Sequence, residues 1–376
     1  MNLPLLRGHN DALVLDLLRA AGPSGLGRAD LAGRTGLTPQ AVSKITARLR
    51  DEGLVTDAGR EASTGGKPRT LLKLVREARY AVGVHLDRDE LTAVRVDLAG
   101  RVVADWRGPL DFGAGPDVVV EEAVRAVARV CGDAGAGAGA GGVGVGPAGA
   151  GPGAGAAGGP VLGVGVAAPG PLDWRTGVLG RVTGYPQWEG FPLGEVLQGR
   201  LGVPVRVDKD TNAGVAAAGF DGAAPDEAVA YVHVGTGLGA GLRLGGAGGV
   251  YRGRRSAAGE FGHQVLRLDG PPCRCGGRGC AEVLCLDAVA EDRVEEAARI
   301  VGEAAANLVA LLDVDRVLLG GRAVAAAPGV FVDGVRRVVA ARSLGGGELV
   351  RVGLAEAGVA EGAAELVLAR LFGRGG

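Results

Sequence analysis

Aromatic residues make up only 3% of this 376-residue chain, so its core must be built from Ala, Val and Leu. Cysteine is as sparse. Five are present, an odd number with three inside eight residues, which excludes a disulfide scaffold and favours a metal site in a reducing compartment. Net charge is nearly absent, at −1. No stretch has the content of a membrane span: the one uncharged run that is long enough, 39 residues from Ala134 to Leu172, begins almost entirely in Gly and Ala with prolines. The opening residues MNLPLLRGHNDAL lack an apolar stretch followed by a small-residue cleavage site, so no secretory signal is expected and the protein is expected to stay in the cytoplasm. Glycine is what the chain has in excess, 71 residues, as much a mark of GC-rich coding as of structural demand. The hydrophobic fraction of 47% and the length suit two or three domains.

The small net charge conceals an asymmetry. Residues 1–76 carry 12 Lys and Arg against 7 Asp and Glu, while the remainder carries 29 against 35. A basic segment ahead of an acidic body suggests a polyanion-binding module joined to a domain with another task. Apolar residues within 9–53 recur at helical spacing in three blocks: Leu13, Leu15, Leu17 and Leu18; Leu31 and Ala32; Val42, Ile45 and Leu49. Gly36 marks a sharp turn, and Thr38 with Pro39 marks the start of a helix as N-cap and first helical residue. That is a helix-turn-helix pattern. Leu54–Thr56 and Thr70–Val75, separated by the polar turn STGGKPR, predict a β-hairpin wing. A winged helix-turn-helix over 1–76 is therefore expected to bind operator DNA. Thr38, Gln40, Ser43 and Lys44 fall on the first turns of the recognition helix, Arg48 lies one turn on, and Lys67 and Arg69 lie in the wing.

From Tyr80 the chain alternates apolar strands with amphipathic helices, predicting an α/β body of two lobes over 80–376. Helices are expected over Val118–Val130, from Asn212, from Asp287 through Leu312, and near Glu361. The 26 residues from Ala134 to Gly159, 22 of them Gly or Ala, cannot bury enough area to offset ordering entropy and read as a disordered insertion.

His263, Cys273, Cys275 and Cys280 form a Cys3His set, the donor types and number of a closed tetrahedral zinc site. A closed set leaves no position for substrate, so the zinc would be structural. Cys131 and Cys285 read as small buried residues.

Taken together, RADLAGRTGLT, GGKPRTLL, VAAPGPLD, the strand-turn around Asp210, GTGLGAGL, AGEFGH, CRCGGRGCAE and LLGG resemble the ROK family, which contains bacterial sugar kinases and sugar-responsive repressors. The resemblance implies an actin-like (ribonuclease H-like) two-lobed domain whose cleft binds a sugar and, in the kinases, ATP. It places Asp210 at the position of the kinases' catalytic base and Glu260, His263 and Glu282 at sugar-contacting positions. His263 would then serve zinc with one ring nitrogen and a sugar hydroxyl with the other. The phosphate-binding pattern Asp-x-Gly-Gly-Thr is replaced by His85-Leu86-Asp87-Arg88-Asp89, in which the two carboxylates would repel phosphate. Gly184 and Lys209 stand where the family has Asn.

These residues predict a non-catalytic regulator, a repressor responding to a sugar or sugar phosphate, without membrane association and acting as a homodimer or dimer of dimers. An ATP-dependent sugar kinase is the alternative.

Overall fold

The computed structural model describes residues 3–60, 69–132, 159–219, 224, 226–245, 249–342 and 350–374. The expected Gly/Ala-rich insertion therefore lies outside the described residues apart from Gly159, and so does Lys67.

Three helices open the chain: α1 (Leu3–Ala21), α2 (Arg28–Thr35) and α3 (Pro39–Asp51). Gly36 ends α2 in the left-handed conformation with φ 70°, and the Thr38 hydroxyl accepts the Ala41 N–H at 3.2 Å to cap α3. Strand β1 (Leu26–Gly27) pairs with β3 (Thr70–Leu74), which pairs in turn with β2 (Val55–Arg60) to form the wing sheet. Val42, Ile45 and Leu49 of α3 are buried with Leu15, Leu18 and Leu31, as the apolar spacing requires.

The first lobe is built on a five-stranded sheet of order β10-β7-β4-β5-β6. Its strands are β4 (Tyr80–Leu86), β5 (Glu90–Asp97), β6 (Val102–Pro109), β7 (Val161–Ala168) and β10 (Val205–Lys209), with β4, β5 and β6 an antiparallel meander. Helices α4 (Pro116–Cys131) and α5 (Leu193–Leu201) pack on it, and a short hairpin of β8 (Leu172–Asp173) and β9 (Val178–Leu179) projects from the end of β7. After β10, α6 (Asp210–Ala216) leads into a four-stranded sheet of order β12-β11-β13-β14. That second sheet comprises β11 (Ala228–Val234), β12 (Leu238–Leu244), β13 (Arg316–Gly320) and β14 (Arg351–Leu354). It carries α7 (Ala281–Ala290), α8 (Val294–Leu312), α9 (Arg322–Ala326) and α10 (Pro328–Arg342). The last helix, α11 (Val359–Leu371), returns to the first lobe. The result is the mixed α/β, actin-like two-lobed architecture the sequence predicts. No helix among the described residues is long and apolar enough to cross a membrane.

The helix expected from Asp287 through Leu312 is instead two. Helix α7 starts directly after Cys280, and the chain breaks at Asp292, whose φ of 57° is incompatible with continuing a right-handed helix. The helix expected from Asn212 starts two residues earlier, with Asp210 as its first residue and Lys209 as N-cap.

Some of the glycine excess has a structural use. A Cβ at Gly83 of β4 would stand 1.8 Å from the Ala360 carbonyl oxygen, and one at Gly165 of β7 would stand 1.8 Å from that of Ala363. Helix α11 thus lies on the sheet at backbone contact distance, which is how a core poor in aromatics reaches close packing. The N-terminal helices share this core. Val14, Leu15 and Leu18 cluster with Ala81, Val94, Ala364 and Leu368, and the buried Arg19 guanidinium donates to both carboxylate oxygens of Glu365 at 2.9 and 2.8 Å.

Candidate functional site

Helix α3 presents Gln40, Ser43 and Lys44, together with its cap Thr38, to solvent, while its opposite face is buried. Arg69 is exposed at the foot of β3. Arg48 is different: it is half-buried and donates to Asp11 of α1, so its charge is already paired within the three helices.

Four ligand atoms converge between the turn Phe261–His263 and the N-terminus of α7. The donors of His263, Cys273, Cys275 and Cys280 all lie within 4.8 Å of one another. Cys275 Sγ stands 3.7 Å from Cys280 Sγ, and Cys273 Sγ stands 3.8 Å from His263 Nδ1. Ligands bonded at about 2.3 Å and spread at tetrahedral angles around one ion are separated by about 3.7 Å, so the set fits a metal ion. Nδ1 is the nitrogen on the sulfur side, which leaves Nε2 of His263 for another partner. Cys285 is buried in α7 and Cys131 is half-buried at the end of α4, neither of them in the cluster.

Beside the cluster, the end of β10 brings Lys209 and Asp210 to the floor of the interlobe cleft. Lys209 does not pair with Asp210. Its buried ammonium donates to the Ala258 carbonyl at 2.6 Å and to Glu260 at 3.1 Å, tying the first lobe to the segment that precedes the metal cluster. Its stem crosses Gly170, where a Cβ would meet Lys209 Cδ at 2.7 Å. Asp210 is half-buried and accepts the Thr211 N–H at 2.6 Å. Glu260 is exposed, and Glu282 accepts the Leu238 N–H at 3.0 Å. Below them Asp208 is buried, accepting Asn212 Nδ2 at 2.7 Å and Arg252 Nε at 2.7 Å, which fixes the strand-to-helix turn that carries Asp210.

The other end of the cleft is occupied by the chain's own side chains. Arg322, the first residue of α9, donates to Asp87 Oδ2 at 2.7 Å, to Asp89 Oδ2 at 2.6 Å and also to Asp89 Oδ1. Thr236 Oγ1 donates to Asp87 Oδ1 at 2.9 Å, and Arg88 Nη1 donates to the Thr236 carbonyl at 3.0 Å. The carboxylates are therefore not bare repulsive charges, as the sequence suggested. They are neutralised by a guanidinium from the facing lobe. Burial raises the Asp87 carboxyl, but the His85 charge, the Arg88 N–H, Arg322 and Thr236 outweigh it and hold it below its ordinary value. Arg322 likewise holds Asp89 low.

Beneath this bridge lies a polar layer. Tyr231 Oη and His233 Nδ1 are 3.0 Å apart, and His233 meets His85 edge to face at 6.1 Å between ring centroids. Nε2 of His85 is buried without a hydrogen-bond partner. Burial, reinforced by the neighbouring His233, lowers the His85 pKa to about 4, so its ring is neutral near pH 7.

The comparisons with known proteins agree with this geometry. A model of the ROK family matches residues 154–288, which include β7, Asp210, Glu260 and the metal cluster. The chain contains a ROK family domain. The xylose repressor of Bacillus spizizenii is 26% identical over 264 residues, covering 69% of this chain and 62% of the repressor. The DNA-binding transcriptional dual regulator NagC of Escherichia coli K12 is 29% identical over 296 residues, covering 78% of this chain and 66% of the regulator. The chain thus spans just over three fifths of the Bacillus repressor's length. Among solved structures, a ROK family transcriptional regulator described as a homologue of the E. coli MLC protein superimposes with a TM-score of 0.76 at 20% identity, covering 98% of both chains. The ROK hexokinase of Thermus thermophilus gives 0.58 at 29% identity, covering 76% of this chain and 97% of the hexokinase.

Arg322, and the pairing of Lys209 with Glu260, are what sequence reasoning missed. Arg322 follows the LLGG motif directly, an arginine opening a helix after two glycines, yet its partners lie 235 and 233 positions away.

Proposed function

We propose that this protein is a sugar-responsive transcriptional repressor in which residues 1–76 bind operator DNA and the ROK domain of 80–376 binds the effector without phosphorylating it. The observation that carries the reading is the contrast within one chain of an exposed α3 face, free to enter a major groove, and a nucleotide end closed by Arg322, Asp87, Asp89 and Arg88. Phosphoryl transfer needs backbone and metal positioned around the nucleotide phosphates. Here the carboxylates and guanidiniums of the two lobes take that space. Asp210 then acts as a hydroxyl acceptor rather than a base, since a base is useful here only with a phosphoryl donor in line and Arg322 with its carboxylate partners takes the donor's place.

In this reading zinc is held by His263, Cys273, Cys275 and Cys280, where it supplies folding energy and fixes the His263 ring. His263 Nε2, Glu260, Glu282 and Asp210 receive sugar hydroxyls. Thr38, Gln40, Ser43 and Lys44 read base edges, Lys67 and Arg69 contact phosphate or the minor groove, and Arg48 contributes by steadying α3 on α1. The protein works in the cytoplasm as a symmetric dimer or dimer of dimers on paired half-sites. The xylose repressor and NagC support the regulatory class by their names.

The test is to select bound fragments from genomic DNA with the full chain and then to assay the same preparation for sugar-dependent ATP turnover. A defined operator, with affinity falling steeply as salt rises, and no turnover are expected. Ser43→Ala or Gln40→Ala relaxes preference at particular base pairs, whereas Lys67→Ala weakens all sequences alike. ATP consumption coupled to a sugar would replace this reading with a kinase.

A further inference from the structure

Where the β8–β9 hairpin of the first lobe faces the segment 254–256 of the second, the two line a wide-open cavity of about 530 Å³, within the size range of small-ligand sites. Its charged lining is one-sided: Arg175, Arg254 and Arg255 face a single carboxylate, Asp173. Arg254 and Arg255 are exposed and make no ion pair or hydrogen bond among the described residues. Ser256 also lines the cavity. It is buried, its hydroxyl oxygen has no hydrogen-bond partner, and its backbone is held at φ 56°, where a non-glycine residue is uncommon. An unpartnered buried hydroxyl beside two unpaired guanidiniums is a donor set waiting for an acceptor.

We propose that this cavity is an anion subsite that receives a phosphate or carboxylate group carried by the effector sugar. The proposal rests on the sugar-binding reading above and narrows it to acidic sugars. Both walls of the cavity run into the segments that hold Lys209, the residue before Asp210. Pro171 on its first wall follows Gly170, over which Lys209 lies, and Ser256 on its second wall stands two residues before Ala258, whose carbonyl accepts the Lys209 ammonium. Guanidiniums suit the choice of ligand because their planar donors match phosphate and carboxylate in pairs. Arg175 belongs to one lobe and Arg254 and Arg255 to the other, so an anion held by all three also draws the lobes together, and such differential contact is what an effector needs to shift a conformational equilibrium.

Titration calorimetry on the full-length protein tests this with glucose, glucose 6-phosphate, glucuronate, N-acetylglucosamine, its 6-phosphate and inorganic phosphate, at fixed ionic strength. The expected result is that an acidic sugar binds about tenfold or more tightly than its neutral parent, the factor a charge-assisted contact supplies. The advantage shrinks with added salt. Replacing Arg254 and Arg255 together by Ala removes it, bringing the acidic sugar to the affinity of the neutral one. The phosphate and uronate arms report which group is carried. Neutral sugars binding as well as acidic ones would overturn the subsite and leave the sugar reading standing. Inorganic phosphate bound through Arg254 and Arg255 with no sugar bound would keep the subsite and remove the sugar reading. Loss of operator affinity in the ligand-free double variant, with no change in small-anion binding, would assign the arginines to DNA phosphate and overturn the proposal, as would no binding across the whole panel.

Discussion

The two ends of the interlobe cleft differ in what their side chains are doing. At the nucleotide end nearly every polar group has a partner from this chain: Asp87 and Asp89 have Arg322, Thr236 has Asp87, and Arg88 has the Thr236 carbonyl. At the other end the groups are less committed. Glu260 is exposed with one oxygen on Lys209, Asp210 accepts, among the described residues, a neighbouring backbone N–H, and His263 offers one nitrogen away from the sulfurs. On the proposed reading, closure of one end removes the chemistry of transfer and leaves recognition at the other intact. Ion pairs across a hinge also give the cleft a defined closed state, which a ligand at the open end can favour or oppose.

The largest expected effect falls on the sugar end. If the metal holds that end in place, Cys275→Ala should cost on the order of 5 kcal/mol or more of stability together with the bound metal. Elemental analysis and thermal melts check both. A metal-free variant that melts with the wild type would mean the cluster does not build the sugar end.

The nucleotide end should reveal itself in acid. His85 titrates near pH 6.5 when unfolded but only at about 4 in the fold, so between those values the unfolded state binds more protons and stability falls as pH drops. The stability at stake is about 3 kcal/mol, present in full above pH 6.5 and lost by pH 4. Urea denaturation at pH 7, 6, 5 and 4 measures it, and His85→Gln should flatten the slope. Asp87 and Asp89, held low by their partners, contribute stability that is lost only at pH values below the ordinary carboxylate range, a separate window. An unchanged slope in His85→Gln would place the acid sensitivity elsewhere.

A smaller effect is expected from the bridge itself. Arg322 and Asp89 are substantially exposed while Asp87 is mostly buried, so Arg322→Ala should cost only about 1–2 kcal/mol, chiefly by leaving Asp87 short of a partner. Its sharper signature is a more open cleft, seen as an increased radius of gyration by small-angle scattering. Unchanged dimensions would show that the bridge decorates a cleft closed by other contacts.

Much of this was legible along the chain where the cause is local. Gly36, Thr38 and Pro39 announce the turn and the cap of α3 because those effects act within four residues, and His263 with the three cysteines can be read from donor type and spacing. What escaped depends on distant partners. Nothing near Lys209 indicates that it pairs with Glu260 rather than Asp210 beside it, and nothing near Asp87 indicates Arg322. Helix α8 separates from α7 at Asp292 without a glycine or proline to mark the break. The N-terminal helices looked like a self-contained module, yet their core continues into Ala364 and Leu368 of α11, because burial is decided by what a face meets after folding.

The central claim, that the open end of the cleft governs the DNA-binding face while the closed end performs no chemistry, is tested most directly by operator affinity measured against a panel of neutral and acidic sugars for the wild type and Glu260→Ala. The account expects a sugar that shifts wild-type affinity without being consumed, and a variant that binds operator as well as the wild type but no longer responds. A wild type indifferent to every sugar, or a sugar phosphorylated at the expense of ATP, would contradict it.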